Sequence, residues 1–106
     1  MKRIFTYGIL QKHHSAKQHG LKDDMYRGRG CLKGFERNGL THIKISKDES
    51  SSVEGDIWEV PDELEERLFN FESSFGYERQ TATIKDENVR YHTSTVYLVD
   101  WRGNNG

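Results

Sequence analysis

Apolar positions recur along the chain in short runs, and each run predicts an element. Ile4, Phe5 and Tyr7 predict a strand over residues 2–7, broken by Gly8. Residues 11–20 are polar, hold His13, His14 and His19, and suit a short helix or a loop. Residues 22–30 read as loop, ending in Tyr26-Arg27-Gly28-Arg29-Gly30. A short strand is expected over residues 31–35, then a turn at Arg37-Asn38-Gly39. Ile43 and Ile45 share one face of a strand over residues 41–46. After a charged, serine-rich loop, residues 53–60 alternate again. Trp58 and Val60 lie opposite Val53 and Ile57, so both faces of this strand have something to bury.

The period then changes. Pro61-Asp62-Glu63 predicts a helix start, because proline tolerates the first helical position and acidic side chains suit the positive end of the helix dipole. Leu64, Leu68 and Phe71 follow as one apolar stripe, and Ser73, Ser74 and Gly76 close the helix. Residues 78–85 and 89–99 predict two long strands joined at Asp86-Glu87-Asn88. Strands around one helix make an α+β domain with a mostly antiparallel or mixed sheet. One domain is expected over residues 1–101, followed by a polar, flexible tail over 102–106.

Composition narrows the class. The chain has 106 residues, 33% of them hydrophobic and 31% charged, with a net charge of −1. That describes a folded but polar domain with a small core. No apolar run approaches the ~18–20 residues of a membrane span. Lys2-Arg3 is followed by no apolar stretch of the secretory type, so a cytoplasmic protein is expected. A single cysteine, Cys31, excludes an internal disulfide. The charge is split: residues 1–47 hold 11 Lys/Arg against 3 Asp/Glu, and residues 48–106 hold 5 against 14. Either the two halves neutralise each other in one sheet, or the basic half engages an acidic macromolecule.

Taken singly, the candidate chemical groups carry two readings each. Gly8, after a strand, is an ordinary turn or a place where backbone N–H groups cradle an anion. Glu72, at the edge of the apolar stripe, is a surface glutamate or a desolvated carboxyl suited to proton transfer. The histidines, including His42 and His92, show no metal-ligand spacing, so no metal site is expected. Tyr26 with the Arg-Gly-Arg-Gly run is a solvated loop before it is an RNA contact, and nucleic acid is disfavoured as a partner. Cys31 reads as a small buried strand residue.

Taken in order, these segments resemble the gamma-glutamylcyclotransferase-like (AIG2-like) family. Phe5-Thr6-Tyr7-Gly8-Ile9-Leu10 is similar to the family's Tyr-Gly-(Ser/Thr)-Leu signature. Val53-Glu54-Gly55-Asp56-Ile57-Trp58-Glu59-Val60 resembles its Val-x-Gly-Glu-(Leu/Val)-Tyr-x-Val strand. Leu68-x-x-Phe71-Glu72 with Tyr77-x-Arg79 resembles its Leu-Asp-x-Phe-Glu and Tyr-x-Arg block, and Val96-Tyr97 fits its last strand. The compact spacing is nearer to the gamma-glutamylamine cyclotransferase branch than to the longer glutathione-degrading one.

The resemblance implies a small mixed β-barrel flanked by short helices. It implies a small-molecule γ-glutamyl substrate whose α-carboxylate is held by the backbone of Tyr7, Gly8, Ile9 and Leu10. It also implies Glu72 as the general acid/base of a cyclisation that releases 5-oxoproline and an amine or amino acid, with no cofactor. Two positions depart from the pattern: Ile9 stands where the family has Ser or Thr, and Phe69 where it has Asp. The alternative implied by those departures is an inactive binding module for a small anionic ligand or a macromolecular partner.

Overall fold

β1 (Lys2–Thr6) lies antiparallel to β5 (Ser52–Val60), with Ile4 opposite Trp58 and Phe5 opposite Ile57. The computed structural model describes residues 1–7, 16–37 and 43–99. The remaining elements, in chain order, are 3₁₀ turns at Ala16–His19 and Asp23–Met25, β2 (Tyr26–Lys33), β3 (Phe35–Arg37), β4 (Ile43–Ile45), α1 (Asp62–Ser73), β6 (Tyr77–Asp86) and β7 (Tyr91–Val99). The strand order β1-β5-β2-β6-β7 closes on itself. Closure is made by a parallel pairing of β1 with β7, Ile4 opposite Thr95 and Phe5 opposite Val96, while the other barrel pairs are antiparallel. β3 and β4 form a separate two-stranded sheet. This is the mixed barrel with helical flanks that the family resemblance implies.

Alternation along the strands builds two apolar layers. Phe5, Tyr7, Leu32, Val53, Ile57, Ile84 and Val96 pack inside the barrel, joined by Phe35 and Ile43 from the small sheet. Ile4, Trp58, Val60 and Tyr97 point outward and are covered by Leu64 and Leu68 of α1, with Ala16 and Leu21. Both faces of β5 are therefore buried, as its sequence suggests. The helix begins one position later than expected: Pro61 is its cap, and its carbonyl accepts the N–H groups of Leu64 and Glu65, each at 3.1 Å.

The largest correction concerns residues 22–30, expected as loop. Their second half is β2, paired with β5 and β6. The inward periodicity is hidden because a glycine, Gly30, occupies an inward position. A Cβ on Gly30 would stand 2.7 Å from Ile57 Cδ1 and 2.8 Å from Ile84 Cγ2. Gly30 pairs with Gly55, where a Cβ would meet the Thr6 carbonyl and the Phe5 ring. The two glycines make room for the large side chains that fill the barrel. Other departures are small: β6 runs through Asp86, and Val89, in the turn to β7, has a φ of 61°. The expected turn after Arg37 and the tail over 102–106 lie outside the described residues.

Candidate active site

One end of the barrel gathers the C-terminal ends of β1 and β7 with the starts of β5 and β6, as the pairings Thr6 to Asp56 and Tyr77 to Val99 require. Tyr7 leaves β1 there, buried in the inner layer. Its hydroxyl donates to the carbonyl of Tyr97, and its own carbonyl accepts Arg37 Nη1 at 2.8 Å. Burial pushes the Tyr7 phenol well above its ordinary range, helped by Tyr77 and Glu72 nearby and opposed by the Arg37 cation. Gly8, Ile9 and Leu10, named with Tyr7 as substrate-binding, lie outside the described residues.

Glu72 arrives from the last turn of α1. The buried residues of that helix are Leu64, Glu65, Leu68 and Glu72, so the face toward the barrel carries two carboxyls among its leucines. Glu72 is 8% exposed, and no described residue donates a hydrogen bond to its carboxyl group. Desolvation raises its pKa to about 7. The helix end acts in the same direction, because the carbonyl terminus of the dipole disfavours a negative charge and the last turn holds no basic residue. The Glu72 charge is felt at the phenols of both Tyr7 and Tyr97. The structure thus brings Glu72 to the end of β1.

The other buried carboxyl of α1 is held differently. Glu65, 2% exposed, accepts Tyr97 Oη at 2.7 Å and Arg79 Nε at 3.1 Å. Arg79 also reaches Glu66 at 3.0 Å, and its guanidinium lies 3.8 Å from the centre of the Phe69 ring. Phe69 in turn stacks on Tyr97 with ring centres 6.5 Å apart. The aromatic residue that departs from the family pattern therefore serves as a platform for Arg79. On one helix face, Glu65 is paired while Glu72 has no ion-pair or hydrogen-bond partner for its carboxyl among the described residues. Glu65, Arg37 and the role of Tyr97 escaped the sequence reading. The only signal for Glu65 was its spacing, one turn before Leu68 and two before Glu72.

The remaining candidates have other partners. His92 joins Asp86 at 2.7 Å and Arg3 at 2.8 Å, and the His19 ring lies tilted against Phe71 with ring centres 4.3 Å apart. His13, His14 and His42 lie outside the described residues, among which no His, Cys, Asp and Glu side chains converge as metal ligands would. Arg27 and Arg29 lie in β2 and pair with Glu59 and Asp56, and Cys31 is half-buried in the same strand. No described helix is long and apolar enough to cross a membrane.

A closed mixed barrel with one covering helix, whose last turn delivers a desolvated glutamate to the end of the first strand, defines a class of small α+β domains. Within that class, residues 4–106 match the family described as gamma-glutamyl cyclotransferase, AIG2-like, and the chain belongs to it. No curated protein matches by sequence. Solved structures share the fold. YkqA from Bacillus subtilis is 18% identical with a TM-score of 0.74, over 94% of this chain and 36% of that one. An AIG2-like protein from Mus musculus is 22% identical with a TM-score of 0.69, over 94% and 78%. A gamma-glutamyl cyclotransferase is 16% identical with a TM-score of 0.71, over 94% and 67%. The chain spans about a third of the length of YkqA.

Proposed function

We propose that this protein is a γ-glutamyl cyclotransferase with Glu72 as its acid/base group. The observation that carries the proposal is a buried carboxyl with a pKa of about 7 at the end of β1, unpaired among the described residues. Such a group is both a competent base and, once protonated, a competent acid near neutral pH. Family membership and a similar fold in a gamma-glutamyl cyclotransferase support the assignment of the reaction.

In the proposed reaction Glu72 takes a proton from the substrate's α-amine. The amine nitrogen attacks the γ-carbonyl carbon and closes a five-membered ring. The tetrahedral intermediate then collapses: the bond from the γ-carbon to the leaving nitrogen breaks, and that nitrogen takes the proton back from Glu72. The products are 5-oxoproline and a free amine or amino acid. The nucleophile belongs to the substrate, so the protein's task is to hold the glutamyl chain curled. Pre-organisation of this kind supplies up to roughly 7–11 kcal/mol. Tyr7 and the segment that follows it take the α-carboxylate end, and no cofactor enters.

The test is a panel of γ-glutamyl amines and γ-glutamyl amino acids, followed by mass spectrometry for 5-oxoproline. Release from at least one member is expected. Silence across the panel from folded protein, with melting still shifted by a ligand, would replace the enzyme with a binding module.

A further inference from the structure

Arg37 ends β3 and has a position that its sequence context, a turn, did not suggest. Residues i and i+2 of a strand share a face. Phe35, two residues earlier, is buried in the inner layer with Tyr7. Arg37 follows the same face toward the same end of the barrel. Its Nη1 donates to the Tyr7 carbonyl at 2.8 Å and its Nη2 to the Glu54 carbonyl at 3.0 Å. The guanidinium is thereby pinned between the end of β1 and the start of β5. It is exposed, and among the described residues no carboxylate lies within ion-pair distance of it. Two of its five N–H groups serve the backbone carbonyls. A planar fork fixed in this way presents its charge in a set direction and suits a carboxylate.

The placement matters because of what else stands near Tyr7. Its phenol is within electrostatic reach of both the Arg37 cation and the Glu72 acid. An α-amino-acid head group carries the complementary pair, an anionic carboxylate and an amine. We infer that Arg37 is the substrate-binding cation for the α-carboxylate of the γ-glutamyl unit, so that the head group lies with its carboxylate toward Arg37 and its amine toward Glu72. This rests on the proposed function for the identity of the substrate.

The experiment compares two substrates and two ligands. The substrates are a γ-glutamyl alkylamine and its α-carboxamide analogue, read as kcat and KM. The ligands are L-5-oxoproline and its carboxamide, read by calorimetry. Each is measured on the parent, Arg37→Ala and Arg37→Lys. The parent favours the carboxylate members. Arg37→Ala raises KM for the carboxylate substrate by about 10–100-fold, the loss expected of a charge-assisted pair, with kcat changed by under about threefold. Its response to the carboxamides is unchanged. Arg37→Lys keeps the charge and recovers part of the carboxylate preference. If Arg37→Ala does not fold, Arg37→Lys decides alone: a KM raised for the carboxylate substrate only supports the assignment, and equal effects on both substrates overturn it. Turnover with no carboxylate-specific effect of Arg37 overturns the assignment and leaves the cyclotransferase standing. Arg37-dependent binding without turnover keeps the assignment and removes the cyclotransferase. No turnover and no binding by the parent removes both.

Discussion

Glu72 is a carboxyl group placed where its charge is penalised, and the penalty has a sign that can be measured. Its pKa rises from 4.5 to about 7 on folding because burial disfavours the carboxylate. The folded state therefore holds the proton more tightly than the unfolded chain. The parent has its full relative stability below about pH 4.5, and loses that increment as pH rises through about 7. Glu72→Gln removes the ionisation. Its advantage over the parent is expected to be absent at low pH and to reach about 1–3 kcal/mol above neutrality, read from urea unfolding at several pH values. A pH-independent difference would show that the carboxyl is solvated. Because the base form is the active one for proton abstraction, kcat/KM is predicted to rise with pH through about 7. A profile flat through neutral pH would place the proton transfer elsewhere.

At the scale of elements, α1 is fastened to the barrel through Arg79. Removing its side chain leaves the carboxylate of Glu65 buried with, among the described residues, only the Tyr97 hydroxyl for a partner. Arg79 is 37% exposed, so Arg79→Ala is expected to cost about 2–4 kcal/mol in chemical denaturation, the lower part of the range for breaking a buried pair. A loss under ~0.5 kcal/mol would reduce the contact to a surface ion pair. Gly55→Ala tests the barrel interior in the same way. A Cβ there would lie 2.8 Å from Phe5 Cζ, with the Thr6 carbonyl also in its path, and a loss of about 1–3 kcal/mol is expected. Most elements were legible because their apolar positions keep a period: β1, β5, α1 and the β6–β7 hairpin all follow it. β2 was not, because Gly30 at an inward position carries no hydrophobic signal while the barrel needs that space. The place of Glu72 beside the leucine stripe left it open between a surface glutamate and a desolvated carboxyl, and the family resemblance, not the spacing, singled it out. Glu65 and Arg37 were not legible, since their roles depend on partners 14 and 30 residues away in sequence. Charged residues on a buried helix face read as solvent-facing until those partners are known.

At the scale of the whole molecule, part of the charge split is met by cross-strand contacts. Arg3 and Glu59 pair at 2.8 Å, and Arg29 and Asp56 at 3.0 Å, joining basic β1 and β2 to acidic β5. The two apolar layers share strands, since Ile4 and Phe5, or Ile57 and Trp58, are neighbours facing opposite ways. Neither layer can be lost without moving the other. Unfolding followed by tryptophan fluorescence and by far-ultraviolet circular dichroism is accordingly expected to give coincident transitions. Separate midpoints would mean that α1 leaves the barrel on its own. That coupling is also what holds Glu72, on the outer helix, against the end of an inner strand. The central claim is that this one carboxyl moves the proton in γ-glutamyl cyclisation. Its most direct test is 5-oxoproline release from a γ-glutamyl amine by the parent and by folded Glu72→Gln. The account predicts release by the parent and a loss of about 10²–10⁴-fold in the variant; equal release by both would contradict it.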